Sequence, residues 1–245
     1  MASILAIDSG NSYVKWGMFN HGQWLAQGSV FYDKVPSLRC EFNELLVPEK
    51  VVISHVAREI TKKQICDLFS NWSVKPLWIH SRFYQCGVTN GYSDPFQLGS
   101  DRWAALIAAW QIQQQACLVV NIGTAVTVDA LSDNGKYLGG IILPGIQLML
   151  KSLQLGTQII NAGLRKYEDF PVDTNSAIKS GVIHSLVGAI ERMYNLLSLQ
   201  LNHPVVNCII SGGDSTLLLP HIKIPVKAIN YLVLEGLVVI AEDHL

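Results

Sequence analysis

Two stretches of this 245-residue chain, with Asp8 and Asn121 at matching points 113 positions apart, repeat one local plan. In the first, the apolar run Ser3-Ile4-Leu5-Ala6-Ile7 gives way to Asp8-Ser9-Gly10-Asn11-Ser12 and resumes at Tyr13-Val14 before Lys15. In the second, Cys117-Leu118-Val119-Val120 leads to Asn121-Ile122-Gly123-Thr124 and a further apolar strand, Ala125 to Leu131. Glycine lets a backbone approach a ligand closely and take positive φ. Successive N–H groups in such a turn form a concave anion site, and Ser or Thr hydroxyls add donors. The plan, given twice, restricts the chain to two sheet-based halves that each present an anion-binding turn.

The surrounding pattern extends the repeat. Asn20-His21-Gly22 separates two strand-like runs, so three consecutive antiparallel strands are expected at the start. A short strand at 51–54, an amphipathic helix over about 61–71 and a strand near 75–79 follow. Residues 80–100 carry Gly, Asn, Asp and Pro and read as a functional loop before a helix over about 100–115. After Cys117 the order returns: strand, Gly turn, strand, the hairpin signal Asn134-Gly135, strand, then Gly139-Gly140 and Pro144-Gly145 leading to a helix. A helix over about 175–201, a strand at 208–211 and a helix over about 231–243 complete the reading. This predicts a duplicated α/β fold, residues 1–115 and 116–245, with a mixed sheet in each half and the ligand cleft between them.

Composition narrows the functional classes. The chain is 49% hydrophobic and 15% charged, which fits a globular protein rather than a disordered one. A net charge of −1 lacks the basic footprint of nucleic-acid binding. Cys40, Cys66, Cys86, Cys117 and Cys208 are odd in number and contain no CxxC, so they read as reduced thiols. No signal peptide or apolar run of about 18 residues is evident, and the expected location is the cytoplasm. The seven His residues form no H-x-x-x-H pair and are taken as incidental.

The second anchor is Tyr92-Ser93-Asp94-Pro95-Phe96-Gln97-Leu98-Gly99-Ser100-Asp101-Arg102. From spacing alone, Ser100 or Asp101 reads as an ordinary cap of the Ala-rich helix that follows. Arg102 opposes the helix dipole there, which makes sense if it faces an anionic ligand. A carboxylate at Asp101 stays ionised at neutral pH and is available to accept a proton from a hydroxyl. Thr174 reads as the cap of the long helix; Asp129 reads as an ordering residue of the second hairpin, with contact to a metal the less favoured alternative. For Ser211-Gly212-Gly213-Asp214, a tight strand-to-helix turn and a platform for a nucleotide base are both open.

Taken together, these segments resemble the type III pantothenate kinases, bacterial enzymes of the acetate and sugar kinase/Hsp70/actin superfamily. D-x-G-N-[ST]-x-x-K is matched by Asp8, Gly10, Asn11, Ser12 and Lys15. Y-x-x-P-x-x-[LV]-G-x-D-R is matched by Tyr92, Pro95, Leu98, Gly99, Asp101 and Arg102. D-x-G-T-A-x-T-x-D is met at Gly123, Thr124, Ala125, Thr127 and Asp129, with Asn121 in place of its first Asp. G-G-x-I-x-P-G falls at Gly139, Gly140, Ile142, Pro144 and Gly145, and N-T-x-x-A-[IM]-x-S-G at Asp173, Thr174, Ala177, Ile178, Ser180 and Gly181, with Asp173 in place of its Asn.

The resemblance implies ribonuclease H-like (actin-like ATPase) domains and ATP-dependent phosphorylation of pantothenate to 4′-phosphopantothenate, the first step of coenzyme A biosynthesis. It implies ATP binding by Asp8, Ser9, Gly10, Asn11, Ser12, Tyr13, Val14, Lys15 and Thr124, with Asp8 reaching Mg²⁺ through water. Pantothenate falls to Tyr92, Gly99, Ser100, Asp101, Arg102 and Thr174, with Asp101 as the base. Asn121 stands where the family helps bind a monovalent cation, K⁺ or NH4⁺; an amide coordinates through its carbonyl oxygen but brings no charge. A homodimer with the pocket near its interface is also implied. The alternatives are a non-catalytic relative resembling transcription accessory factors, or another small-molecule kinase of the superfamily.

Overall fold

The computed structural model describes residues 2–156, 166–205 and 207–243. In chain order the elements are β1 (Ile4–Ser9), β2 (Tyr13–Asn20), β3 (Gln23–Phe31), α1 (Leu38–Asn43), β4 (Lys50–His55), α2 (Glu59–Leu68), β5 (Leu77–Trp78), β6 (Tyr84–Gln85), β7 (Val88–Thr89) and α3 (Ser100–Gln113). They continue with β8 (Cys117–Ile122), β9 (Ala125–Leu131), β10 (Tyr137–Pro144), α4 (Ile146–Gly156), α5 (Thr174–Leu201), β11 (Asn207–Ser211), α6 (Ser215–Leu218), β12 (Val226–Ala228) and α7 (Leu232–Asp243). Two compact units result: residues 1–114 with 135–137 and 231–245, and residues 115–134 with 138–230.

The first unit is built on a sheet of order β3-β2-β1-β4-β5. β1 and β2 pair antiparallel around the first glycine turn, whereas β1 and β4 run parallel. The hairpin between β2 and β3 turns through His21 and Gly22, both at positive φ (47° and 81°), the geometry that matches strand twist. All six residues of β1 are buried, as expected of a strand covered on both faces. On one face Leu5, Ile7, Val14, Trp16 and Ile53 join Val35, Leu38, Phe42 and Ile65 in an apolar cluster. The first two of that second group belong to a 3-10 turn (Tyr32–Ser37) and α1, elements the sequence pattern did not announce.

α7 belongs to this first unit, although sequence order counts it with the second half. It packs along α3 and against β1 and β4. Gly236 makes the approach possible, because a Cβ there would overlap the Ala104 carbonyl. Lys50 Nζ donates to the Ala241 carbonyl at 2.7 Å, and Trp24 Nε1 to Glu235 Oε1 at 2.8 Å. Periodicity identified α7 as an apolar helix but carried no information on which sheet it would cover.

The second unit repeats the arrangement with order β10-β9-β8-β11-β12. β8 pairs antiparallel with β9 and parallel with β11, as β1 does with β2 and β4. Leu118, Val120 and Ile122 from one face of β8 pack with Val126, Val128, Ile183, Leu186 and Ile190, which seats α5 on the sheet. Two mixed sheets with the same strand order make the predicted α/β duplication a feature of the fold. β12 escaped the sequence reading because a three-residue edge strand has too little alternation to register.

Gly236→Ala should lower the thermal midpoint strongly, by the equivalent of about 3 kcal/mol or more, because the α3 backbone must move to admit the methyl. Circular dichroism melting of the variant beside the parent checks this.

Candidate active site

The register of the first hairpin sets Asp8 directly across from Lys15. Asp8 is the fifth residue of a wholly buried strand, and it is 6% exposed. Burial pushes its carboxyl up to about 6; Lys15 pulls it down, and the Asp101 carboxylate raises it further. Asp8 is therefore close enough to feel both Lys15 and Asp101 within the first unit. The turn is closed by Gly10 N–H donating to the Tyr13 carbonyl at 3.0 Å. Its counterpart is one residue shorter, with Gly123 N–H donating to the Ala125 carbonyl at 3.1 Å. Neither turn glycine has positive φ, contrary to the expectation from sequence. Space at Gly10 is tight instead: a Cβ would sit 3.3 Å from the Tyr13 carbonyl oxygen.

The parallel neighbour supports this turn. Ser9 lies beside His55 in the β1–β4 register, and Ser9 Oγ and His55 Nδ1 are 2.9 Å apart. Burial, with Lys62 nearby, lowers the His55 pKa, so the ring is neutral at pH 7. One strand position back, Ser54 Oγ meets Ser100 Oγ at 2.9 Å, tying β4 to the start of α3. His55 is thus not incidental. Sequence offered no signal for it, because the contact comes from parallel pairing between strands 46 residues apart.

α3 starts without a side-chain cap: its N-cap is Gly99, so neither Ser100 nor Asp101 plays the ordinary capping role. Asp101 lies in the first turn, where its Oδ1 accepts the Arg102 N–H at 2.8 Å. A Cβ on residue 99 would approach that oxygen to 2.6 Å, which explains the glycine. Arg102 turns inward and is only 7% exposed. Its Nη1 donates to Tyr92 Oη at 3.0 Å and its Nη2 to Tyr137 Oη at 2.7 Å. The segment before it is braced by buried Ser81, which donates to the Pro95 and Leu98 carbonyls, and by Asn90, whose Oδ1 accepts the Tyr92 N–H. Ser81, Asn90 and Tyr137 were all absent from the sequence-derived set.

In the second unit, Thr124 is exposed at the tip of its turn and Asn121 is half-buried opposite Thr127. Gly145 packs directly on this turn: its N–H donates to the Thr124 carbonyl at 2.9 Å, and a Cβ would overlap the Gly123 carbonyl. Gly212 (φ 107°) makes the tight turn from β11 toward α6. The cap of α5 is Asp173, whose Oδ1 accepts the N–H groups of Asn175 and Ser176 at 3.0 and 3.1 Å. Thr174, expected as the cap, is instead exposed at the first helical position.

Among the described residues no three His, Cys, Asp or Glu side chains gather to hold a metal by themselves. Mg²⁺ in kinases rarely needs such a cage; it takes one or two carboxylates, phosphate oxygens and water. The buried Asp8 carboxylate, ionised at a cost, fits that demand.

Solved structures share this fold. An inorganic polyphosphate/ATP-glucomannokinase from Arthrobacter sp. strain KM is similar across 100% of both chains, with TM-score 0.52 and 14% identity. A Campylobacter jejuni chain, named for the Baf family of transcriptional activators, is similar across 98% of both, with TM-score 0.59 and 22% identity. At these identities the likeness is one of fold alone. The type III pantothenate kinase family model matches residues 4–196. The type III pantothenate kinase of Nitrosospira multiformis is 48% identical over 98% of this chain and 91% of its own length. That of Nitrosomonas eutropha is 45% identical over 98% and 95%. The chain belongs to the type III pantothenate kinase family.

A folded-state pKa of about 6 against 3.8 means that ionised Asp8 costs on the order of 3 kcal/mol of stability. The sign follows from proton binding: that stability is present below pH 3.8 and lost as pH rises through 6. Asp8→Asn should therefore melt higher than the parent at pH 7.5, with the gap closing as pH falls toward 4. Paired thermal melts across that range decide it.

Proposed function

We propose that this chain transfers the γ-phosphoryl group of ATP to the primary alcohol of pantothenate, giving 4′-phosphopantothenate, the first step toward coenzyme A. The observation that carries the reading is the placement of Asp101. Its carboxylate is steadied by a backbone N–H at a helix start, within electrostatic reach of a buried Asp8 paired across its hairpin with Lys15. In this reading Asp101 takes the hydroxyl proton as the oxygen attacks the γ-phosphorus. Phosphoryl transfer asks chiefly for alignment and charge neutralisation.

The remaining roles follow the family motifs. Asp8, Ser9, Gly10, Asn11, Ser12, Tyr13, Val14, Lys15 and Thr124 are the residues assigned to the ATP phosphates. Asp8 reaches Mg²⁺, whose charge offsets that of the phosphates. Tyr92, Gly99, Ser100, Asp101, Arg102 and Thr174 receive pantothenate. Asn121 lies at the monovalent-cation position and offers a carbonyl oxygen without charge, so the enzyme works with weak or no dependence on K⁺ or NH4⁺. A cytoplasmic homodimer is part of the same proposal. It is supported by the groove of small and apolar residues between α4 and α5, lined by Met149, Ala177, Gly181 and Ser185, and by the exposed Phe170 and Val172. The kinase relatives over nearly the full chain support catalysis over a regulatory role.

Asp101→Asn should reduce turnover at least about 10²-fold, the scale of a lost general base, with ATP binding retained. A coupled assay with ATP, Mg²⁺ and pantothenate, beside nucleotide titration calorimetry, measures both; turnover near the parent's removes Asp101 from its role. In the same assay, Asn121→Asp should make activity rise with added K⁺, while the parent responds little. Full potassium dependence of the parent contradicts the assignment of Asn121.

A further inference from the structure

Tyr137 lies outside every motif of the site, yet it is completely buried against Arg102. It is the first residue of β10, and its packing within the first unit has a clear origin. The Thr89 N–H donates to the Gly135 carbonyl at 3.0 Å and Thr89 bridges to Lys136, which draws the start of β10 onto the loop segment ahead of α3. Tyr137 then stands beside Tyr92, with ring centroids 5.5 Å apart and planes inclined at 32°. The Arg102 Cζ is 5.8 Å from the Tyr92 ring centroid and 5.9 Å from that of Tyr137. Each hydroxyl accepts from a different Nη of the same guanidinium.

An arginine side chain is long and has many rotamers, and a guanidinium recognises a carboxylate well only when its planar fork is aligned. Two hydroxyls on its two terminal nitrogens fix that plane, and two aromatic rings limit its swing. On the reading given above, Arg102 receives the pantothenate carboxylate. Tyr92 is partly exposed and can meet substrate, whereas Tyr137 is wholly enclosed and bonds to Arg102 from within. We infer that Tyr137 is a positioning residue for the acceptor site, holding the Arg102 guanidinium in the orientation that binds the carboxylate of pantothenate. This rests on the kinase reading and adds a residue that its motifs omit.

The substitution Tyr137→Phe tests it, because phenylalanine keeps the ring and the packing and removes only the hydroxyl. KM for pantothenate should rise about tenfold, the scale of a lost hydrogen bond to a charged group, while kcat and KM for ATP stay within about twofold. In an Arg102→Lys background, which lacks the fork, Tyr137→Phe should add no further loss; that non-additivity marks an effect carried by Arg102. An unchanged KM for pantothenate overturns the inference, as does a parallel decline in kcat and both KM values, or full additivity with Arg102→Lys. The parent enzyme is assayed alongside. Its failure to phosphorylate pantothenate overturns the kinase reading and this inference together, whereas a working parent with an indifferent Tyr137→Phe overturns this inference alone.

Discussion

A carboxylate kept out of water at the end of a central strand is the constraint around which the first unit is organised. Asp8 is ionisable, nearly inaccessible and one residue from the turn, so its charge must be balanced from within the fold. Lys15 supplies the opposite charge because antiparallel register puts it across the same hairpin. The parallel neighbour β4 then fixes Ser9 through His55, and Ser54 of the same strand grips Ser100 at the head of α3. Through these pairings the hairpin and the helix that carries Asp101 form one polar assembly surrounded by apolar packing. Its cost at neutral pH is the expected mark of a functional position, where stability is given up for a charge in a useful place.

The acceptor side is built on a different principle. Nothing in the helix propensity of Ser100–Gln113 asks for arginine in the first turn, where a cation meets the positive end of the dipole. The conflict is resolved by turning the side chain away from the helix terminus into an aromatic enclosure, where hydroxyls and π-faces receive the charge. The neighbouring Asp101 satisfies the dipole instead and takes the Arg102 N–H for itself. Adjacent residues of opposite charge thus point to different tasks, and Gly99 provides the room that the carboxylate requires.

Much of this was legible in the sequence, and the reasons are specific. Hairpin signals such as Asn20-His21-Gly22, alternating apolar runs and the recurrence of one strand–turn–strand plan are local properties, so both three-strand openings emerged correctly. The long helices α3, α5 and α7 were found within one or two residues because sustained periodicity is the strongest signal a chain offers. Capping was harder. At α5, Asp173 and Thr174 are both good candidates, and the choice of Asp173 depends on one carboxylate oxygen accepting from both Asn175 and Ser176, which adjacent letters cannot distinguish. At α3 the N-cap position falls on Gly99, while Asp101 accepts the Arg102 N–H inside the first turn and Ser100 meets Ser54.

By itself, then, the sequence determined the duplicated α/β plan and the chemical inventory, since strand alternation, turn residues and ordered motifs are encoded over a few neighbouring positions. Tertiary structure alone decided the partners: His55 beside Ser9, Tyr137 on Arg102, and α7 against the first sheet. Each of these joins residues dozens to hundreds of positions apart. Strand pairing and side-chain packing create such contacts only when the chain has folded, so no local pattern could announce them.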